Sequence, residues 1–168
     1  MWSSGLEDLK KLNVSDSEVI QLVALKNSGV GDDVCVQLVS AAHQHQHPFN
    51  SAEAAKSLNN AGFSDEQILA IAKNDQLDSL SGDAVMLRLI GLSDSTVQIL
   101  LRRRMQHLPT LSSAEIARLK NTQVSEREIL GRIENGMTDA QADAEAAARE
   151  KAQAHSGTGF VHPRGRRR

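Results

Sequence analysis

Short apolar stripes with helical spacing recur along the chain, and similar turns separate them. One such stripe covers residues 68–71, where Ile, Leu and Ile side chains return to one face of a helix. Gly62 marks the end of the preceding helix, because glycine takes the left-handed C′ conformation without strain. Ser64 is the expected N-cap of the next helix, and Gln67 completes a capping box. The pattern predicts a helix–turn–helix unit whose second helix runs over residues 65–74.

The same turn signal occurs six times: an apolar residue, then Ser, Thr or Gly, then Asp or Glu. The second position suits a helix N-cap, and an acid in the first turn favours the helix dipole. The six triplets begin at Val14, Val30, Phe63, Leu92, Val124 and Met137, at intervals of 16, 33, 29, 32 and 13 residues. The longer intervals approach the lengths of helix-pair repeats. Helices this short cannot bury their stripes alone, so we expect them to stack.

Other helix boundaries are predicted from a single cap residue, a polar run or composition, without a complete capping box. Asp32 is interpreted as the cap of the third helix, and residues 50–53 as the start of the fourth. The polar run 75–79 is interpreted as a linker, followed by a helix over residues 83–90. The final helix is Ala-rich and is expected over residues 139–154.

These elements predict an all-α fold of about ten short helices in tandem helical hairpins. The hairpins form a compact bundle or a short superhelical stack over residues 1–155, with a sub-boundary near 75–80 left open. Residues 156–168 are expected to be a disordered basic tail, because their Gly, Pro and Arg content prevents packing.

Composition narrows this picture. Aromatic residues make up 2% of the 168 residues, and mean hydropathy is −0.35, so the core must be thin and aliphatic. Cys35 is the single cysteine, which excludes an intramolecular disulfide; its apolar neighbours suggest a buried, inert thiol. No apolar run is long enough to span a membrane, and residues 1–5 lack the features of a signal peptide. The sequence favours a cytoplasmic location and leaves a processed exported protein open.

Charge is distributed unevenly along the chain. The net charge is −2, but residues 164–168 carry four of the 19 basic residues and no acid. Partner-binding residues are therefore predicted in the tail: Phe160, Arg164, Arg166, Arg167 and Arg168. The arginines suit RNA, DNA or another polyanion through counterion release, whereas the acidic remainder of the chain opposes that role.

The strongest metal candidates are three alternating histidines, His43, His45 and His47. A structural zinc site wants four ligands, and no Cys or carboxylate is adjacent, so we predict no metal and no cofactor. Histidines near a helix C-terminus are otherwise explained by the helix dipole. The same dipole explains the basic run 102–104, which lacks the interleaved aromatic residues of a nucleic-acid site.

The pattern Gly-apolar-Ser-Asp/Glu-x-x-Ile, over residues 6–142, resembles the tandem short helix-turn-helix repeats of uncharacterised bacterial proteins, which imply no activity. Residues 61–64, Ala-Gly-Phe-Ser, resemble the Met-Gly-Phe loop of ubiquitin-associated domains, which implies ubiquitin binding. Residues 124–130 with 135–138 resemble the first helix and turn of response-regulator DNA-binding domains, which implies DNA binding.

No nucleophile elbow, metalloprotease motif or phosphate-binding loop is found, so the sequence does not predict an enzyme. The leading hypothesis is a non-enzymatic protein-interaction or assembly module, because stacked helix pairs offer grooves to a partner helix or peptide. The identity of the protein partner and the oligomeric state stay open. The alternative, from a different class, is nucleic-acid or polyanion binding through the tail.

Overall fold

The computed structural model describes residues 5–158, which form ten α-helices joined by turns, with no strand among them. The helices are α1 (Gly5–Lys11), α2 (Asp16–Asn27), α3 (Asp32–Gln44), α4 (Ala52–Asn60), α5 (Asp65–Lys73), α6 (Leu77–Leu89), α7 (Asp94–Met105), α8 (Ser113–Asn121), α9 (Glu126–Glu134) and α10 (Asp139–Thr158). The prediction of an all-α fold with about ten short helices is confirmed.

Each turn between successive helices contains one residue with positive φ. Glycine fills four of these positions, including Gly62 at φ 89°, and non-glycine residues fill the other five, including Asp75 at φ 56°. The turn at Gly62 shows the purpose of this conformation. Gly62 N donates to Asn59 O and Phe63 N donates to Leu58 O, each at 3.1 Å, so the last carbonyls of α4 are satisfied. At this turn the chain passes from α4 to α5 within four residues.

The repeated triplets mark helix starts correctly. All six end on the first residue of a helix, at Asp16, Asp32, Asp65, Asp94, Glu126 and Asp139. Both members of the capping box are bonded at Ser64 and Gln67, where each side chain binds the backbone N–H of the other. Capping is decided within four residues, which is why the sequence identifies these boundaries.

Three predicted helix boundaries are wrong. Asp32 lies in the first turn of α3 and Gly31 occupies the cap, whereas α4 begins at Ala52 after Ser51. Residues 75–79 are not a linker, because α6 already begins at Leu77. At none of these three helix starts does the side chain of the cap residue accept a hydrogen bond from the first turn, so the usual local signal is missing. Leu77 is 5% exposed, and its burial supports the first turn of α6.

The chain divides into two compact units between Leu108 and Pro109, and residues 75–80 lie within the first. In the first unit the main contacts of helices α1 to α4 are with the helix after next: α1 with α3, α2 with α4, α3 with α5 and α4 with α6. The helices α2, α4 and α6 form one row, here called the even layer, and α1, α3 and α5 form the odd layer. Contacts of α2 with α3 and of α4 with α5 join the two layers.

The core of the first unit is mainly aliphatic, and Phe49 and Phe63 are its buried aromatic residues. Its fully buried members include Leu22, Leu25, Leu38, Leu58, Ile68, Ile71, Leu87 and Leu100. Helix α4 presents mainly short buried side chains, Ala52, Ala54 and Ala55, and so accommodates both α2 and α6.

The second unit contains α8, α9 and α10. Its core consists of Leu111, Ile116, Leu119, Ile129, Ile133 and Ala142. Asp139 Oδ1, at the start of α10, accepts from Ser112 N at 2.9 Å and so joins α10 to the cap of α8. Helix α10 runs to Thr158, three residues into the predicted tail, whose remaining residues lie outside those described.

Candidate functional site

The end of α3 and the turn after it carry the three predicted metal candidates, and each side chain binds a different element. His43 Nε2 lies 2.8 Å from Glu18 Oε2 on α2, and His45 Nε2 lies 2.8 Å from Lys73 O at the end of α5. His47 Nε2 lies 2.6 Å from Asp75 Oδ1 in the next turn. The three rings therefore join the C-terminal end of α3 to α2, to the end of α5 and to the turn after α5. Among the described residues no three potential metal ligands cluster.

Glu18 is the most constrained polar side chain near these histidines. It is 2% exposed and accepts from Ser15 N at 3.1 Å, Phe49 N at 2.9 Å and His43 Nε2. Burial alone raises the pKa of Glu18, but the hydrogen bonds from Phe49, Ser15 and His43 outweigh it and hold the pKa below its ordinary value. In the sequence, Glu18 follows Ser15 by three residues, and that spacing predicts only a capping box. Its contacts with Phe49 and His43 depend on the tertiary fold.

Two acceptors surround the imidazole of His47 and favour its charged form. Its Nδ1 lies 2.8 Å from Pro48 O, and its Nε2 faces the Asp75 carboxylate. The Pro48 carbonyl first, and then Asp75, raise the pKa of His47 above its ordinary value. The side chain of Asp75 thus has a role that explains why a residue other than glycine occupies this positive-φ position.

An open groove of about 510 Å³ passes over this region. Its lining consists of Ser15, Ser17, Glu18, His43, Gln46, His47 and Pro48. The hydroxyl of Ser15 and the imidazoles of His43 and His47 already bind neighbouring cap, carboxylate or carbonyl groups. The polar side chains of the groove therefore stabilise turns. The groove does not align a nucleophile with a base and an orienting acid.

Large exposed apolar side chains are concentrated on the even layer. Six such residues occur in the described part of the chain, namely Val19, Ile20, Val23, Met86, Leu89 and Leu108. Five of the six lie on α2 and α6. Ile20 is 70% and Leu89 is 76% exposed, values expected for charged side chains on a helix facing water. The sequence did not single these residues out, because they share the helical spacing of core residues.

The basic run of α7 is partly engaged within the first unit. Arg104 Nε lies 2.6 Å from Asp83 Oδ2 on α6. Nearby, the Arg88 guanidinium stacks 4.3 Å from the centroid of the Phe63 ring and lies 2.5 Å from Asp94 Oδ1. Phe63 is only 3% exposed, so the ring in the turn that resembles the ubiquitin-associated loop is covered by this chain's own side chains.

Cys35 is fully buried, as predicted, and burial raises the pKa of its thiol to about 11. The thiolate is the reactive form of cysteine, so this thiol is inert at neutral pH.

The predicted partner-binding residues of the tail, Phe160, Arg164, Arg166, Arg167 and Arg168, lie outside the described residues. Within those residues, each helix is too short or too polar to cross a membrane.

Comparisons with protein-family models, curated proteins and solved structures find no match to the chain.

Proposed function

We propose that this chain is a non-enzymatic protein-interaction or assembly module built from tandem helix pairs. The observation that supports it best is the concentration of exposed apolar side chains on the even layer. Removing such side chains from water is the main favourable term in association, and aliphatic groups exposed in one layer are a typical feature of docking surfaces.

On α6, Met86 and Leu89 are three residues apart and therefore share one face of the helix. They are 48% and 76% exposed, and a Cβ atom added at Gly82, one turn earlier, would meet no other atom within 4 Å. This face suits a partner that presents an amphipathic helix with its own apolar stripe. A protein partner of this chemistry is favoured over a small ligand, because the groove beside the histidines is wide open and would leave much of a small ligand exposed to water.

A displayed library of amphipathic helical peptides tests the proposal. Peptides selected on the immobilised chain are expected to lose binding at least about tenfold to Leu89→Lys, because a charge then enters the buried contact. Gln37→Lys is the matched control, since Gln37 is exposed on α3 in the odd layer. Selection of no peptide, or equal binding by parent and Leu89→Lys, would contradict the proposal.

Nucleic-acid or polyanion binding is the alternative, and the compositional break at residues 164–168 favours it. An arginine-rich segment binds polyanions by counterion release, so its affinity falls steeply with salt. A gel shift at low and high salt, with the chain complete and with residues 156–168 deleted, tests this. The alternative requires a shift at low salt that disappears with the deletion. A cytoplasmic location likewise stays a prediction from the sequence.

A further inference from the structure

The two flanks of α2 differ in what they contact. Gln21 Oε1 accepts from Ala52 N at 3.0 Å, and Ser28 O accepts from Asn59 Nδ2 at 3.4 Å, so one flank faces α4. Val19 and Val23 precede and follow Gln21 by two residues. At about 100° per residue, each projects about 160° from Gln21, on the flank opposite α4. Their side chains are 47% and 45% exposed there.

This flank continues an interface that already exists within the chain. Helix α4 has a neighbour of the even layer on each side, α2 and α6, whereas Val19 and Val23 of α2 remain half exposed on the corresponding side. The exposed flank is therefore the side on which the stacking of the even layer would accept one more helix.

Charges at the two ends of this flank indicate which helix fits. Asp16 and Lys26 lie five residues before and after Gln21, and helical geometry places both on the same side as Val19 and Val23. The row reads acid, apolar, apolar, base, and it is symmetric about position 21. An antiparallel copy of the same row places Asp16 opposite Lys26 twice and Val19 opposite Val23 twice. Within its own chain Lys26 pairs with Asp32, the first residue of α3.

We propose that this flank of α2 binds a second copy of the chain, with the two α2 helices antiparallel about a two-fold axis. The arrangement is isologous, the commonest form of self-association. This proposal rests on the assembly function proposed above, and it identifies the partner as a second copy of the chain. Because the row contains only two valines, with Ile20 at its edge, the contact falls below the size of stable interfaces, and association is weak and reversible.

Sedimentation equilibrium of the complete chain from about 10 µM to about 1 mM tests the proposal. The weight-average mass is expected to rise from the monomer value of 18.2 kDa toward twice that value. Val23→Lys should weaken the dimer about tenfold or more by placing a charge in the centre of the contact. Leu108→Lys is the matched control, because it places the same charge at an apolar residue of similar exposure, 43%, outside α2, and it should dimerise like the parent.

Charge reversal tests the antiparallel arrangement. Asp16→Lys alone and Lys26→Glu alone each create two like-charge pairs in the dimer and should weaken it, whereas the double variant restores opposite charges and should recover association. Circular dichroism and melting temperature confirm that each variant is folded. A chain that stays monomeric throughout the range, or a Val23→Lys variant that dimerises like the parent, overturns the proposal. A double variant as weak as the single ones overturns the antiparallel pairing.

The two proposals fail separately. Peptide binding at the Met86 and Leu89 face is measured at about 1 µM chain, where a weak dimer is dissociated. Loss of dimerisation with peptide binding intact would refute only the second copy as partner. Loss of peptide binding with dimerisation intact would refute only the role proposed for α6.

Discussion

Replacing Glu18 with alanine removes the acceptor that joins α2, α3 and the segment before α4. The carboxylate is 2% exposed and accepts from the backbone N–H groups of Ser15 and Phe49, as well as from His43. The alanine variant leaves Phe49 N in a buried position without this acceptor, and His43 loses its charged partner. Water can replace the acceptor only at the more exposed cap residue, Ser15.

The expected cost follows from these contacts. A buried backbone donor left without a partner costs about 1–3 kcal/mol. Loss of the capping-box bond from Ser15 N to the Glu18 carboxylate adds about 0.5–1 kcal/mol to this cost. The increment is small because Ser15 is largely exposed. We therefore expect Glu18→Ala to lower the free energy of unfolding by about 2–4 kcal/mol. Glu18→Gln keeps one acceptor oxygen and should lose about half as much.

Urea denaturation followed by circular dichroism measures this difference at neutral pH. Glu66→Ala is the control, because Glu66 is an exposed acid in the first turn of α5, and it should change stability by less than about 0.5 kcal/mol. The pKa of Glu18 is lowered, so its contribution is present above the ordinary value of 4.5 and is lost as the pH falls through the folded value. Equal stabilities of the Glu18→Ala and Glu66→Ala variants at neutral pH would refute this reasoning.

Three further predictions test other parts of the first unit. Gly62→Ala should destabilise by about 1–2 kcal/mol because φ is 89°, whereas Gly82→Ala, in α6 with open space around it, should stabilise by about 0.5–1 kcal/mol; similar melting temperatures for both would contradict this. Ser64→Ala should cost about 1 kcal/mol in urea denaturation by removing the cap of α5, and no measurable change would exclude that cap. His47→Asn should destabilise more at about pH 6 than at about pH 8.5, because a raised pKa gives a contribution present below 6.5 and lost as the pH rises through the folded value; a pH-independent difference would argue against it.

The fold was predictable wherever a helix boundary depends on a few adjacent residues. Ser15 with Glu18 and Ser64 with Gln67 form the capping boxes that their spacing predicts. The start of α6 was missed, because the side chain of its N-cap residue, Gln76, accepts no hydrogen bond from the first turn of the helix, and Leu77 is held by burial. Burial of that kind depends on residues distant in sequence, which a local pattern does not contain.

The candidate surfaces were less predictable for the same reason. Val19, Ile20 and Val23 continue an apolar stripe that is typical of a core face, but α2 has too many apolar positions for one buried face. Which of them faces α4 is decided by the packing of the even layer. The histidines were recognised from their spacing, whereas their partners, 25–28 residues away, appear only in the folded chain.

The bonds between successive helix pairs also determine how the first unit should respond to tension. The side-chain bonds from His47 to Asp75 and from Ala52 to Gln21 join residues only 28 and 31 positions apart, so each ties one pair to the next. A chain pulled at both ends can release such ties one after another, because each pair depends mainly on its neighbours. Under force the unit should therefore unfold in steps of about thirty residues each, instead of in a single cooperative event.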